Sequence, residues 1–526
     1  MVLSTLDLTV VALYVIGLIT LATLVSRQPA GERKNSEDYF LAGRALPWWA
    51  VGASLIAANI SAEQIIGMSG SGYVVGLAIS SYEWMAAATL LLVGKYVLPI
   101  FLARGIHTMP QFLEQRFDAR LKFVMSIFWL GLYTFVNLTS ILWLGATAIS
   151  TLTGTAPTVG LVLLALLAVA YSLYGGLKAV ALTDIVQVVL LVGGGLLLTY
   201  LALNEVSAGA GWWTGLARLG EAAPEKFDMI LSRDNPEYMN LPGLGVLIGG
   251  MWMMNISYWG FNQYIIQRAL AAKDLREAQQ GIVFAAFLKL LMPLIIVVPG
   301  IAMFVLAQDD PSGWQVTRPD AAYPTLMGLA PSGIRGLIFA ALVAAIVSSL
   351  GSMMNSIATI FTLDIFRALR RDAVSEGTLV QVGRGASLIA LLTALLVAQP
   401  LLGNFPQAFQ YIQEFTGFFT PGICAIFLLG MFWPRATSTG ALASAVSSLA
   451  LSLLGKIWLP QVPFMDRVLY VFLACLAIMV LLGQPREKKD AGAIHLAGVT
   501  FTTAPAYALG SAFVVLILVG LYGVFW

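Results

Sequence analysis

Glu63 and Gln64 stand in the middle of an apolar stretch running from about residue 47 to 73, and Glu83 stands midway along the next, in Ser80-Ser81-Tyr82-Glu83-Trp84. A carboxylate in hydrocarbon is costly unless it faces a cavity, a partner or a bound ion. Lys289, in Phe287-Leu288-Lys289-Leu290, is the candidate counter-charge. Burying a lysine at that depth costs about 2.5 to 3.5 kcal/mol on the insertion scale. Pairing with Glu83, completed by hydroxyls of a ligand, would offset that cost; a pair that only pins two helices is the other reading. Three amides, Gln64, Asn255 and Gln413, come from three separate apolar stretches. Each carries donors and acceptors together, as a neutral polyol requires, although any one of them alone is equally a helix-to-helix hydrogen bond. Tyr258 and Trp259 follow Asn255. An aromatic face packs on the C–H face of a pyranose, whereas a quaternary amine asks for a fuller cage. An anionic ligand would favour arginine, and the only cation expected near mid-membrane on these stretches is Lys289. The set therefore points to recognition of a neutral, sugar-like solute, with no nucleophile–base pair or metal motif for catalysis.

A second set offers hard oxygens. Ser348 and Ser349 lie in Ala345-Ile346-Val347-Ser348-Ser349, followed by Asn355 and Thr359, and an unwound backbone at Ala57 and Ile60 would free carbonyls nearby. Oxygen-only ligation fits a small hard cation, and broken membrane helices use freed carbonyls for Na+. Serines that bond back to their own helix are the alternative.

The elements that hold these groups must span a membrane. The chain is 59% hydrophobic and 11% charged, with a mean hydropathy of +0.85, whereas soluble domains carry roughly a quarter charged residues. A formal net charge of +2 with no basic stripe argues against a nucleic-acid partner. Cys424 and Cys475 fall in apolar runs, and His107 and His495 in expected loops, so neither a disulfide framework nor a metal centre is expected. Asp7 precedes the first run where a secretory signal would carry Lys or Arg, and 8–26 is expected to be a retained span. Runs of about twenty apolar residues place about fourteen spans, at roughly 8–26, 47–72, 74–103, 121–150, 156–174, 179–203, 243–267, 277–307, 334–365, 378–399, 405–432, 437–458, 467–483 and 503–526. With the N-terminus outside, roughly twenty of the 29 basic residues fall in inner loops. Among them are Arg27, Arg33, Lys34, Arg44, Lys178, Arg371, Arg486, Lys488 and Lys489. Both termini are therefore expected outside a cell inner membrane. The polar stretch 28–38 lies inside. The outer loops 204–242 and 308–333 either carry short helices and form a lid or are simply solvated connectors. Gly193-Gly194-Gly195 reads as close helix packing, since no phosphate-loop lysine follows.

The second span is expected to break at Asn59-Ile60-Ser61 and the seventh at about 254–260, from Met254 through Asn255 to Gly260. Five spans separate the two breaks. An odd offset inverts the second copy relative to the first, and paired broken helices at mid-membrane are the mark of a transporter core. The expected organisation is an extra span and inner loop at 1–46, a first repeat at 47–203, an outer loop at 204–242, a second repeat at 243–432, and three extra spans at 433–526. The readings from other classes are a passive channel and a membrane solute sensor; a sensor normally carries a signalling domain, and no soluble stretch here is large enough to fold alone.

Four strings carry a family resemblance: Ala-Ser-Leu-Ile-Ala-Ala-Asn-Ile-Ser-Ala-Glu-Gln at 53–64, Tyr-Trp-Gly-Phe-Asn-Gln-Tyr-Ile-Ile-Gln-Arg at 258–268, Ala-Ala-Ile-Val-Ser-Ser-Leu at 344–350 and Phe-Gln-Tyr-Ile-Gln-Glu-Phe-Thr-Gly at 409–417. Over nearly its whole length the chain resembles the sodium:solute symporters, in the sodium/glucose cotransporter branch and nearest its bacterial sodium/galactose members. The resemblance implies an all-α membrane protein with a LeuT-like core of two inverted five-helix repeats, moving a sugar by Na+-coupled alternating access without a further cofactor. It implies sugar contacts at Gln64, Glu83, Asn255, Lys289 and Gln413, with Tyr258 as an inner gate and Asn59, Glu63 and Trp259 supporting gate or pocket. It implies a sodium site from the carbonyls of Ala57, Ile60 and Ala345 and the hydroxyls of Ser348 and Ser349. Asp184 and Arg268 match positions tied to ion coupling and the inner exit. Ala86 stands where a related pocket has a serine, which removes one hydroxyl contact worth about 0.5 to 1.5 kcal/mol and bears on which sugar is carried.

Overall fold

A computed structural model describes residues 3–26, 45–106, 108–370, 374–403, 408–484, 492–494 and 496–526. The inner stretch 28–38, His107, His495, Arg27, Arg33, Lys34, Arg44, Arg371, Arg486, Lys488 and Lys489 lie outside those residues, as does the side chain of Lys178. Among the described residues every regular element is helical, apart from one bridge between Leu46 and Ala272. Hydrocarbon dictates this outcome, because a helix satisfies its own backbone groups.

In chain order the principal helices are α1 Thr5–Ser26, α2 Trp48–Asn59, α3 Glu63–Val74, α4 Leu77–Ala103, α5 Met109–Arg116, α6 Ala119–Thr153, α7 Pro157–Val206, α8 Trp212–Ala222 and α9 Gly250–Phe261. There follow α10 Gln263–Leu270, α11 Leu275–Asp309, α12 Ile334–Leu369, α13 Glu376–Leu402, α14 Ala408–Gly417, α15 Thr420–Phe432, α16 Ser438–Trp458, α17 Phe464–Leu481 and α18 Pro505–Val524. Side chains cap several starts: Thr108 for α5, Asp118 for α6, Asp274 for α11, Ser375 for α13 and Thr437 for α16 each accept a backbone N–H of the first turn.

Nine helices among the described residues are long and apolar enough to cross a membrane, or eleven when α2–α3 and α14–α15 each count as one bent span. The other expected spans are shorter or broken: Thr5–Gly17 within α1, Pro157–Ala170 within α7, and α9–α10. The two spans expected at 156–174 and 179–203 lie on the continuous helical backbone of α7. Its 50 residues, at about 1.5 Å each, exceed what one crossing needs.

The breaks differ from expectation in two places. The first falls as expected, with Ile60 extended and a bend of 62° between α2 and α3. The second falls at Asn262 (φ −93°, ψ 120°), because 254–260 is helical within α9. Asn255 does not unwind its helix; its amide donates to the Met251 carbonyl one turn back at 3.1 Å, so the polar side chain is satisfied in place. A third break, of 46°, separates α14 from α15 inside what the hydropathy presents as a single span.

The core packs α11 against α2, α3 and α4, and α7 against α12. Small residues allow it: a Cβ on Gly300 of α11 would lie 2.2 Å from the Ser69 carbonyl of α3, and one on Gly195 of α7 would lie 2.0 Å from Ile295 of α11. The loop between α11 and α12 packs on α3 through Pro319–Ala321, so tightly that a Cβ on Gly70 would lie 2.8 Å from the Pro319 backbone. Asp320 is buried beneath this loop, with Arg318 Nη2 at 3.4 Å and the Ala408 N–H of α14 at 3.5 Å. Burial pushes its carboxyl up to about 7, against the smaller opposing pull of Arg318. The folded loop thus holds a proton that the unfolded chain releases near its ordinary value, and stability gained there falls as pH rises towards 7. Thermal unfolding measured from pH 5 to 8 should show that slope, and Asp320→Asn should flatten it.

Candidate functional site

The first break supplies part of the cavity wall. At Ile60 the chain turns extended, and the next amide, Ser61 N–H, leaves the ladder for Gln64 Oε1 at 3.3 Å, where Ser61 Oγ also donates at 3.0 Å. Beyond it the backbone winds as a π turn, Glu63–Met68, whose extra residue per turn aims Glu63 and Gln64 inward. A second π turn, Tyr133–Leu138 in α6, brings Asn137 to the same site.

Both turns line one cavity. All nine positions expected to contact or support a solute line it: Asn59, Glu63, Gln64, Glu83, Asn255, Tyr258, Trp259, Lys289 and Gln413. Ala86 is in the same wall. The charges are paired. Lys289 Nζ donates to Glu83 Oε2 at 2.5 Å and to Asn59 Oδ1, and sits 5.1 Å from the Trp259 ring centroid. Both charged side chains are almost wholly buried, and such a pair persists only when its remaining donors and acceptors are met. Asn59 Nδ2 in turn donates to Tyr258 Oη at 3.0 Å, and Tyr258 Oη lies 2.5 Å from Tyr264 Oη. One polar chain therefore runs from the cavity wall through Asn59 to Tyr258. Glu63 accepts from Ser140 Oγ of α6. Above, Tyr82 and Phe409 meet edge to face at 5.2 Å, with Phe409 against Gly67.

The oxygen set lies behind the first break. Ser349 Oγ donates to the carbonyl of Ala58 at 3.3 Å, next to the expected Ala57. Ser348 Oγ donates to Asp184 Oδ1 of α7, and Ser54 Oγ donates to Asp184 Oδ2 at 2.7 Å. Arg268 Nη2 stands 4.0 Å from the same carboxylate and donates to Ser352 Oγ. Ala57, Ile60, Ala345, Ser348 and Ser349 are all buried. Of the expected ion residues, Ser348 thus meets the expected coupling residue Asp184, with Arg268 beside it, and Ser349 meets the end of α2.

Sequence reasoning passed over Tyr133, Asn137, Ser140 and Ser54. Tyr133 Oη donates to Asn262 Oδ1 at 2.5 Å and accepts the Gln263 N–H at 3.0 Å, so it satisfies the second break. Asn137 lines the cavity with its Oδ1 buried and without a partner among the described residues. The signal available was a polar residue in an apolar run, weak in a span that also carries Thr134, Thr139 and Ser140.

A sequence profile described as the sodium:solute symporter family matches residues 39–447. The chain belongs to the sodium:solute symporter family. This symporter is 50% identical over 540 residues to a "Sodium/glucose cotransporter" of Vibrio parahaemolyticus, covering 100% of this chain and 99% of that one. It is 36% identical to "Sodium/glucose cotransporter 4" of Mus musculus, over 86% of this chain and 69% of the relative. In fold it matches the outward-open structure of a Na+-coupled sialic acid symporter with a TM-score of 0.80 at 24% identity, over 91% of this chain and 97% of that one. The symporter is thus a multi-pass membrane protein with the LeuT-like arrangement of broken helices.

Proposed function

We propose that this symporter couples Na+ entry to import of a neutral monosaccharide, galactose or glucose, across the cell inner membrane, with both termini outside. The observation that carries the reading is the convergence of Gln64, Glu83, Asn255, Lys289 and Gln413, from five separate helices, on one cavity. The names of the relatives support the same solute class.

In this reading the repeats 47–203 and 243–432 rock around the cavity. Na+ is carried beside the carbonyls of Ala57, Ile60 and Ala345 and the hydroxyls of Ser348 and Ser349, with Asp184 and Arg268 tuning its hold and release. Sugar hydroxyls bond Glu83, Lys289 and the three amides, while Tyr258 closes the inner side and Asn59, Glu63 and Trp259 hold that gate and wall. Coupling has a physical route, because one unwound segment faces the ion with its early carbonyls and the sugar with Gln64. A cation entering down about 100 mV supplies about 2.3 kcal/mol, roughly a fiftyfold solute gradient.

Proteoliposomes with an inward Na+ gradient should accumulate labelled galactose or glucose, and vesicles without it should only equilibrate. Equal accumulation in the two would overturn symport and leave a passive channel. The alternative reading keeps the fold and exchanges the solute for inositol, sialic acid or an amino acid. Competition of each against labelled galactose separates them.

A further inference from the structure

The break between α14 and α15 is held from outside the two repeats. In a continuous helix the Gly422 N–H would donate to the Phe418 carbonyl four residues back. Here Gly422 N–H donates instead to Ser448 Oγ at 3.0 Å, and Ser448 Oγ donates to the Phe418 carbonyl at 3.0 Å. A second carbonyl of the break, Phe419, lies 3.4 Å from the same hydroxyl. Ser448 belongs to α16, the first of the C-terminal extra spans, and is buried. Its hydroxyl is therefore inserted into the ladder of a neighbouring helix, one of the recognised causes of a sharp bend. Pro421, which has no N–H to give, opens the same turn. Gly422 makes the approach possible, since a Cβ there would lie 2.7 Å from Ser448 Cβ.

The bend aims α14 at the cavity, where Phe409, Ile412, Gln413 and Thr416 line the wall. The opposite side of α14 is tied to the same extra spans: Glu414 pairs with Lys456 of α16 at 3.0 Å and with Arg467 of α17 at 2.9 Å. We propose that Ser448 is a positioning residue for sugar binding, its hydroxyl keeping the third broken span bent so that Gln413 reaches the solute. The extra spans α16 and α17 are then the anchor against which α14 is held. This rests on the reading of Gln413 as a sugar contact.

The test compares Ser448→Ala, Ser448→Thr, Ser444→Ala and Gln413→Ala in proteoliposomes, with initial uptake normalised to inserted protein. Ser444 lies one turn earlier on the same buried face of α16, and its hydroxyl makes no hydrogen bond to the break among the described residues. Ser448→Ala should raise the KM for sugar about three- to tenfold, as loss of the bridged hydrogen bonds implies, with the KM for Na+ at saturating sugar unchanged. Ser448→Thr, which keeps the hydroxyl, and Ser444→Ala should both keep the parental KM. If Gln413→Ala raises the KM but Ser448→Ala does not, or if Ser448→Thr is as impaired as Ser448→Ala, the positioning role is overturned. A flat Gln413→Ala overturns the sugar-contact reading and this role with it. Should Ser448→Ala not insert, Ser448→Gly, which also lacks the hydroxyl, takes its place with the same expected rise in KM and the same overturning result.

Discussion

Lys289→Ala is expected to abolish sugar accumulation and to lower the stability of the inserted protein by about 3 to 5 kcal/mol, the usual cost of removing one partner from a buried pair. The variant would leave the Glu83 carboxylate buried without its cation and free Asn59 Oδ1. Through Asn59 the loss reaches Tyr258, whose hydroxyl is held by the Asn59 amide and by Tyr264. Lys289→Ala combined with Glu83→Ala should recover most of the stability, because neither charge is then stranded, and should still fail to transport. Thermal unfolding and uptake on the same preparations read the two effects apart. If Lys289→Ala transports with the parental KM for sugar, the pair only pins α4 to α11 and the solute lies elsewhere.

The second large effect is expected at the oxygen cluster. Ser348→Ala removes a hydroxyl that stands between the first break and Asp184, and should raise the KM for Na+ roughly tenfold, in line with loss of a hydrogen bond to a charged group. At saturating Na+ the KM for sugar should stay near the parental value, since the sugar-facing side of the break, at Gln64, is untouched. Asp184→Asn keeps the shape but withdraws the charge facing Arg268, and should weaken Na+ dependence further. Uptake measured against Na+ concentration decides the matter: an unchanged Na+ dependence in Ser348→Ala removes that serine from the ion path.

The polar residues of the site were legible because the membrane makes them so. In a soluble protein Gln64 or Asn255 would be one amide among many. In an apolar run each carries a desolvation penalty that demands a partner, and composition alone makes the rarity visible. The Lys289–Glu83 pair follows from the same rule, as does the cavity that must lie between the amides. The partners that are neither charged nor rare were not legible. Tyr133, Ser140 and Ser448 look like ordinary residues of apolar helices until the fold sets them against a break.

The break positions mark the boundary between the two kinds of knowledge. Asn59-Ile60-Ser61 was found from its residues because Ser61 and Gln64 satisfy the break locally, within three residues of chain. The second break was expected too early, around Asn255, and in fact sits at Asn262, where Tyr133 of α6 accepts the orphan amide of Gln263. The third gave no hydropathy signal, since its replacement hydrogen bonds come from Ser448 on another span. From the sequence alone came the membrane class, the kind of solute the polar set can recognise and the residues that stand out against hydrocarbon, because transfer from water to lipid acts on each side chain wherever the chain later goes. Where a helix breaks, which hydroxyl enters its ladder and which carboxylate meets the serines was decided only by tertiary structure, because an interrupted backbone is stable only where a neighbour distant in sequence supplies the missing hydrogen bond.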